Sequence, residues 1–371
     1  AQGLIENVAS GQSRLDYPLI DGVQKGCPHH ILEPARTNVV QYSKDFTQLS
    51  SQSNVTISLN QIISPEGSLN ASSFIDNSAS GVHRAFTVYS SSIASGQLVS
   101  HSIFAKAKEH KWFQLSTGGN TNDQWANFDL ENGIIGNSSS SANPIIENYG
   151  NGWYRCILFA TTSANNASLA GLVTLTNNLD ATSRSPSYSG SNKGVYVFGL
   201  QIEQGSYATS YIPTNGESGG VTRSAETASG AGNSTTFSDS EGVLMAEISA
   251  LADDGTYKFI SISDGTTSNR VSVYFSNLNK LSASVPDVAA FSSNVNIKNN
   301  NKVAFKYKSG GYSFYVNGFE LGTSTSTAGL HSGLNTLSFD FGGGSDDFFG
   351  KTKQIQYFDS VLDSEQLEQL T

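Results

Sequence analysis

The chain has 371 residues, 37% of them hydrophobic and only 14% charged, with a net charge of −10. That length predicts two domains, or one domain with a large insertion. The acidic balance and the lack of any basic stripe argue against nucleic acid as a partner, and 15 Tyr with 20 Phe make the chain too aromatic to be disordered. The polarity comes from Ser, Thr, Asn and Gly, a composition suited to β-sheets joined by many turns. Cys27 and Cys156 are too few for a disulfide framework, and no Cys or His spacing reads as a metal site. No run of 18 apolar residues exists, so no membrane insertion is expected. No signal peptide is visible. The only methionine is Met245, so either an initiator was removed ahead of Ala1 or the sequence is a piece of something longer.

Residues 1–45 carry Pro18, Pro28 and Pro34 and few alternating runs. They read as an extended N-terminal arm that packs on a neighbour. From 46 to 214 strand follows strand: "NVTISLNQI", "GVHRAFTVY", "LVSHSIFAKA", "KWFQLST", "QWANFDLENGIIG", "GNGWYRCILFATT", "AGLVTLT" and "GVYVFGLQIE". "ENG" is a hairpin signal, and no window supports a long amphipathic helix. The pattern predicts a sandwich or jelly roll. Residues 215–236 read as a linker, with "VTRSAE" between turn-rich stretches. Strands resume over 237–371, among them "VLMAEISA", "KFISISDG", "NRVSVYFS", "KVAFKYKS" and "YSFYVNGFELG", giving a second sandwich. The tail "VLDSEQLEQLT" predicts a short C-terminal helix with Asp363 as N-cap, Gln366 completing a capping box and Leu362–Leu367 as a staple. Such a helix is expected to cover a sheet edge. The fold class is all-β, two tandem sandwiches.

Sugar binding needs aromatic faces and hydrogen-bonding side chains. On that ground the candidate glycan-binding residues are Trp112 with Gln114 on one strand face, Trp125 with Asn127 on another, and Gln201 with Glu203. In the last strand, alternation puts Tyr196, Phe198, Leu200 and Ile202 on a core face and Val195, Val197, Gln201 and Glu203 on a polar one. Trp153 and Cys156 read as buried structural residues, and His29–His30 as surface. For metal, Asp253, Asp254 and Asp264, with Asp346 and Asp347, sit in acidic turns of the kind that hold Ca²⁺. They match no EF-hand spacing and are more often plain turns. Catalysis has thin support: no strand shows the paired carboxylates of a glycosidase, and no nucleophile elbow appears.

Two long strings, "LEPARTN…YS" and "QIEQGSYATSYIPT", together with "GNGWYRC" and "VTRSAE", resemble a group of bacteriophage virion proteins, mostly tail-fibre or head-fibre components. The resemblance implies a carbohydrate-binding-module-like jelly roll followed by a laminin-G or concanavalin-A-like sandwich. It also implies a structural protein on the virion surface that recognises host-surface glycans without chemistry. Its arm would attach to other virion proteins, and a homo-oligomer, a trimer above other states, is expected. The alternatives are a polysaccharide depolymerase or lyase on the same scaffold, and a bacterial surface adhesin or glycan-binding module.

Overall fold

The computed structural model describes residues 5–6, 8–9, 11–20, 23–328 and 332–371. Of the segment read as an arm, residues 1–4, 7, 10, 21 and 22 lie outside the described residues. The chain is all-β and divides into two compact units, each a β-sandwich. The first comprises 1–9, 19–25 and 35–224, and the second 10–18, 26–34 and 225–371.

In the first unit, two six-stranded antiparallel sheets face each other. One runs in the order Ile134–Ser138, Trp125–Asp129, Trp112–Gly119, Ser168–Leu175, Arg84–Ser90, Ser51–Ser53. The other runs Ile145–Asn148, Trp153–Thr161, Leu98–Ala107, Gly194–Gln204, Leu69–Asp76, Val55–Ile63. Alternation decides what lies between them: Phe113, Leu115, Phe128 and Val173 from the first sheet meet Val99, Ile103, Leu158 and Val197 from the second. Each such side chain contributes on the order of 1.5–3 kcal/mol on burial. The "ENG" turn closes its hairpin with Gly133 at positive φ, and the Asp129 carboxylate accepts the N–H groups of Glu131 and Asn132.

The last strand of this sandwich departs from simple alternation. Gly199 has φ +65°, and the pairing with Leu98–Ala107 slips between Ser102 and Phe104. One extra residue in a strand turns every later side chain over. Val195 and Val197 therefore face the core before the bulge, and Leu200 and Ile202 face it afterwards. Tyr196 and Phe198 do not form the core row expected from the sequence. They lie on the outer face in a separate cluster with Phe104, Trp153 and Tyr211. The bulge also changes the strand's neighbour. Val195 and Val197 pair with Phe74 and Ser72, whereas the Leu200 N–H donates to the Ser43 carbonyl and the Ile202 N–H to Asn38 Oδ1. Residues 35–45 are thus built into this sandwich.

The second unit pairs a seven-stranded with a five-stranded sheet. The larger runs Leu15–Asp16, His29–Leu32, Gly350–Phe358, Glu241–Ala250, Asn301–Lys308, Tyr312–Val316, Phe319–Ser324. The smaller runs Ala289–Ser293, Leu281–Val285, Arg270–Phe275, Lys258–Ser263, Thr336–Ser338. Leu244, Ile248, Val303 and Phe305 meet Ile260, Ile262, Val273 and Leu281 in its core. Two strands of the larger sheet come from the segment read as an arm. Arg14 fastens them, its guanidinium reaching Glu33 and Glu226 at 2.8 Å each. The helix Ser364–Leu370 begins at Asp363 with both hydrogen bonds of the capping box. It does not cover a sheet edge: Leu367 packs with Val243, Met245, Ala304 and Tyr315 on the outer face of central strands.

Two outcomes are expected. Gly199→Ala forces a Cβ into the left-handed region, within 3.1 Å of Phe104 and 3.2 Å of Tyr211. Urea unfolding should show a loss of about 1–2 kcal/mol from backbone strain alone. His101 is fully buried and neither ring nitrogen has a partner, and burial pushes its pKa down to about 3. Below about pH 6.5 the unfolded chain takes up a proton on this ring and the folded chain does not, so stability falls by about 1.4 kcal/mol per pH unit towards pH 3. His101→Leu should flatten the stability profile in that window, as followed by denaturant midpoints from pH 7 to 4.

Candidate functional site

The six residues read as glycan-binding fall into two places. Trp112, Gln114, Trp125 and Asn127 share the outer face of the first sheet, because the register sets Gln114 opposite Asn127 and Ser116 opposite Trp125. The structure brings these four together but does not leave them free. Gln114 and Asn127 are completely buried. The loop 178–185 crosses them: Asn127 Nδ2 donates to the carbonyls of Leu179 and Ala181, both at 2.9 Å. Gln114 Nε2 donates to Ser183 O at 3.0 Å and to Asn127 Oδ1 at 2.9 Å, and its Oε1 accepts from the Ser185 N–H at 2.7 Å. Arg184 closes the loop's end on Thr117 O and Asp123. Trp112 and Trp125 are half-buried, and the Trp112 indole N–H is taken by Asp129 Oδ2 at 3.0 Å.

Gln201 and Glu203 lie on the second sheet's outer face, and both are fully buried. Glu203 accepts from the N–H and the hydroxyl of Thr209, at 2.7 Å each. Gln201 donates to Glu203 and accepts from the Ile212 N–H. Arg155 adds a bond to the Thr209 carbonyl at 2.7 Å. These side chains fasten residues 206–212 back onto their own sheet, with Tyr211 packed against Phe104 and Phe198 and its hydroxyl bonded to Ser43. The glycan-binding reading of Gln114, Asn127, Gln201 and Glu203 is corrected accordingly. Each is a buried structural group whose hydrogen bonds are spent within the chain.

The acidic turns do not converge either. Asp254 is held by Lys258 and Thr256, and Asp264 accepts from Thr266 and Asn269. Burial is the strongest single influence on Asp254 and would raise its pKa, but the Lys258 and Thr256 donors together outweigh it, while at Asp264 the Thr266 hydroxyl leads and burial opposes it; both carboxyls are held below the usual range. Asp253 stands 3.7 Å from Lys298. Among the described residues no three His, Cys, Asp or Glu side chains group as metal ligands. Asp76 is a further buried carboxylate that the sequence did not single out. Burial alone would raise its pKa, but donors from His110, the Lys193 N–H, Tyr188 and the Ser191 N–H outweigh this and hold it at about 2. It ties Ser191 and Lys193 to the strand Leu69–Asp76 and offers no free oxygen lone pair to a substrate.

An open concavity lies elsewhere in the first unit. A cleft of about 750 Å³ is lined by Ala35–Thr37, Val39, Ser90–Ile93, Asn166, Gln204, Gly205, Gly219 and Thr222. Its size suits a small ligand. Its chemistry is uniform: hydroxyls from Thr37, Ser90, Ser92 and Thr222, amides from Asn166 and Gln204, and one cation, Arg36. Ser90, Ser92, Asn166, Gln204 and Thr222 are exposed. No carboxylate is among the described residues that line it. Arg36 rests on the Tyr207 ring at 5.4 Å. Its Nε is buried without a partner. Gly205 makes the approach possible, since a Cβ there would stand 3.0 Å from Arg36 Nε and Nη2. The sequence held two signals of this cleft, the serine run after "TVY" and the arginine in "LEPARTN", but neither is an aromatic–amide alternation. A smaller cleft of about 410 Å³ in the same unit, lined by Lys44, Asp45, Asn60, Asn70, Asn215 and Glu217 among others, mixes both charge signs.

No family model and no curated protein matches the chain. Among solved structures it is similar to the carbohydrate-binding module CBM40 of a Ruminococcus gnavus sialidase, bound to α2,3-sialyllactose. There the identity is 16%, the TM-score 0.33, and the match covers 38% of this chain and 93% of that one. It is also similar to a Bacteroides ovatus protein described as a candidate carbohydrate-binding protein, at 14% identity and TM-score 0.30, covering 78% of this chain and 79% of that one. A third is a heptameric SAP-like pentraxin of Limulus polyphemus, at 17% identity and TM-score 0.28, covering 34% and 68%. Scores of this size carry no assignment, and the all-β architecture stands on the strands themselves.

Asn127→Ala strips the partners from two loop carbonyls and from the Gln114 amide. It should lower the unfolding free energy by about 2–3 kcal/mol and raise proteolytic cleavage within 178–185, which limited proteolysis with mass spectrometry will locate.

Proposed function

We propose that the protein binds a glycan without chemical change and serves as a structural, receptor-binding component on the surface of a phage particle. The observation that carries the binding part is the cleft around Arg36. Its exposed groups are hydroxyls and amides, which can donate to and accept from sugar hydroxyls in turn, and its single charged side chain is a guanidinium. Glycoside hydrolysis needs two carboxyl groups flanking the scissile bond. A cleft whose described lining has none is suited to recognition. The virion part rests on the sequence strings "LEPARTN" and "QIEQGSYATSYIPT", and Arg36, Thr37 and Gln204 of the cleft lie within or beside them. On this reading the ligand is a host-surface glycan, other virion proteins are partners, and a homo-oligomer, a trimer before other states, displays the two sandwiches.

A glycan array of bacterial surface oligosaccharides, followed by calorimetry on the hits, tests the binding. The double variant Asn166→Ala/Gln204→Ala removes two exposed amides and should weaken the best hit at least tenfold, about 1.4 kcal/mol, with an unchanged unfolding midpoint. A blank array, or a hit that the double variant binds as well as the parent chain, sinks the reading. New reducing or unsaturated ends on incubation with host polysaccharide would instead establish a depolymerase or lyase. Binding by a chain that immunogold labelling finds on the bacterial envelope and not on particles would favour an adhesin.

A further inference from the structure

Arg36 does not spend its whole hydrogen-bonding fork on the protein. It opens the strand Arg36–Asn38 at the wall of the 750 Å³ cleft. Its Nη1 donates back to the adjacent Ala35 carbonyl at 3.1 Å. Nε is buried without a partner, whereas Nη2 makes no hydrogen bond among the described residues and is not closed to water. The Tyr207 ring, its centre 5.4 Å from Cζ, holds the group in place without consuming a donor. The unspent pair, Nε and Nη2, is one edge of the planar fork, with its N–H bonds side by side. Such an edge matches the two oxygens of a carboxylate.

Gly205 decides whether that edge can be reached. It too lines the cleft. A Cβ on it would stand 3.0 Å from Nε, 3.0 Å from Nη2 and 3.3 Å from Cζ. A point equidistant from the two nitrogens and farther from the carbon lies in front of the edge, where a carboxylate would sit. Glycine keeps that point free of a side chain. The other polar groups of the lining are neutral hydroxyls and amides, so an entering carboxylate meets one full positive charge and no negative one among the described residues. A neutral sugar would cover the guanidinium and leave its charge uncompensated. Arg84 also rests on a ring, Phe86, but it donates to the Ser185 hydroxyl and is not part of this lining.

We propose that the cleft selects a saccharide that carries a carboxylate, a uronic or sialic acid residue, and that the Nε–Nη2 edge of Arg36 reads it. The inference rests on the reading of this cleft as a glycan site and adds the class of sugar.

The test uses the full chain and calorimetry with oligosaccharides ending in glucuronic, galacturonic or sialic acid, each beside its carboxyl-reduced counterpart. At least one acidic member should bind tenfold or more tightly than its reduced form, and added salt should shrink that ratio. Arg36→Gln should abolish the preference and Arg36→Lys should keep part of it. Gly205→Ala puts a Cβ before the fork and should lower the preference with the charge still present. Arg84→Gln, a cation lost outside the cleft, should leave it. If Arg36→Gln or Gly205→Ala lowers the unfolding midpoint, the acid-to-reduced ratio on the parent chain and its salt dependence decide, since they need no substitution. The proposal falls if acidic and reduced forms bind alike, if only sulfated sugars bind, or if the preference survives Arg36→Gln. Where acidic and reduced forms bind alike and both are weakened by Asn166→Ala/Gln204→Ala, the cleft remains a glycan site and only the carboxylate is overturned. Where no member binds in either form, both readings fall.

Discussion

One left-handed residue, Gly199, sets which side of the first sandwich is dry. Without the bulge, Gln201 and Glu203 would share a face with Val195 and Val197, where two buried polar groups would have no partners. With it, Leu200 and Ile202 continue the core begun by Val195 and Val197. The amide and the carboxylate turn outward and hold down residues 206–212. That returning segment covers Phe198 and Phe104 with Tyr211. The same turn frees the far half of the strand from Leu69–Asp76, and the Asn38–Ser43 segment takes its place. The wall of the cleft around Arg36 therefore stands where it does because one strand carries one residue too many.

The same chemistry explains why the strands were legible in the sequence and the site was not. Strand positions, the "ENG" hairpin turn and the capped C-terminal helix follow from local rules of periodicity, positive φ and capping. Those rules act over a few residues. The aromatic–amide alternation of Trp112–Gln114 and Trp125–Asn127 is equally visible, but its meaning depends on what lies above it. A sugar hydroxyl and a loop carbonyl ask the same thing of an asparagine amide. The carbonyls of Leu179 and Ala181 answered first. Glu203 and the Thr209 hydroxyl repeat the point on the other sheet. Strand periodicity shows that a polar face exists, and only the long-range fold shows whether that face meets solvent or its own chain.

The N-terminal residues were misread for a related reason. "RLDY" and "HHIL" are too short and too mixed to announce strands, and the proline-rich intervals suggest an arm. Their pairing is fixed from far away: His30 lies opposite Thr352 and Leu32 opposite Gly350, and Arg14 is held by Glu226. Short strands of low propensity persist where a pre-existing edge supplies their hydrogen bonds, so their stability belongs to the sheet they join. No local window contains that information.

Charge pairing separates structural arginines from the rest. The chain has 31 acidic and 21 basic side chains, so an arginine that needs a carboxylate has acids to spare. Arg14 has two and Arg184 has Asp123. Arg155 is buried deep and bonded to Ser102 and Thr209. Arg36, Arg84 and Arg270 have no carboxylate partner among the described residues. Each rests on an aromatic ring with its Nε buried and unpartnered, and Arg155 shares both features over Phe104. Arg36 and Arg84 keep hydrogen bonds to the Ala35 carbonyl and the Ser185 hydroxyl. Cation–π contact offsets part of the lost hydration, by about 0.5–2 kcal/mol. What distinguishes Arg36 is its place: it lines an open cleft with no carboxylate among its described lining, so its charge is left for whatever enters there.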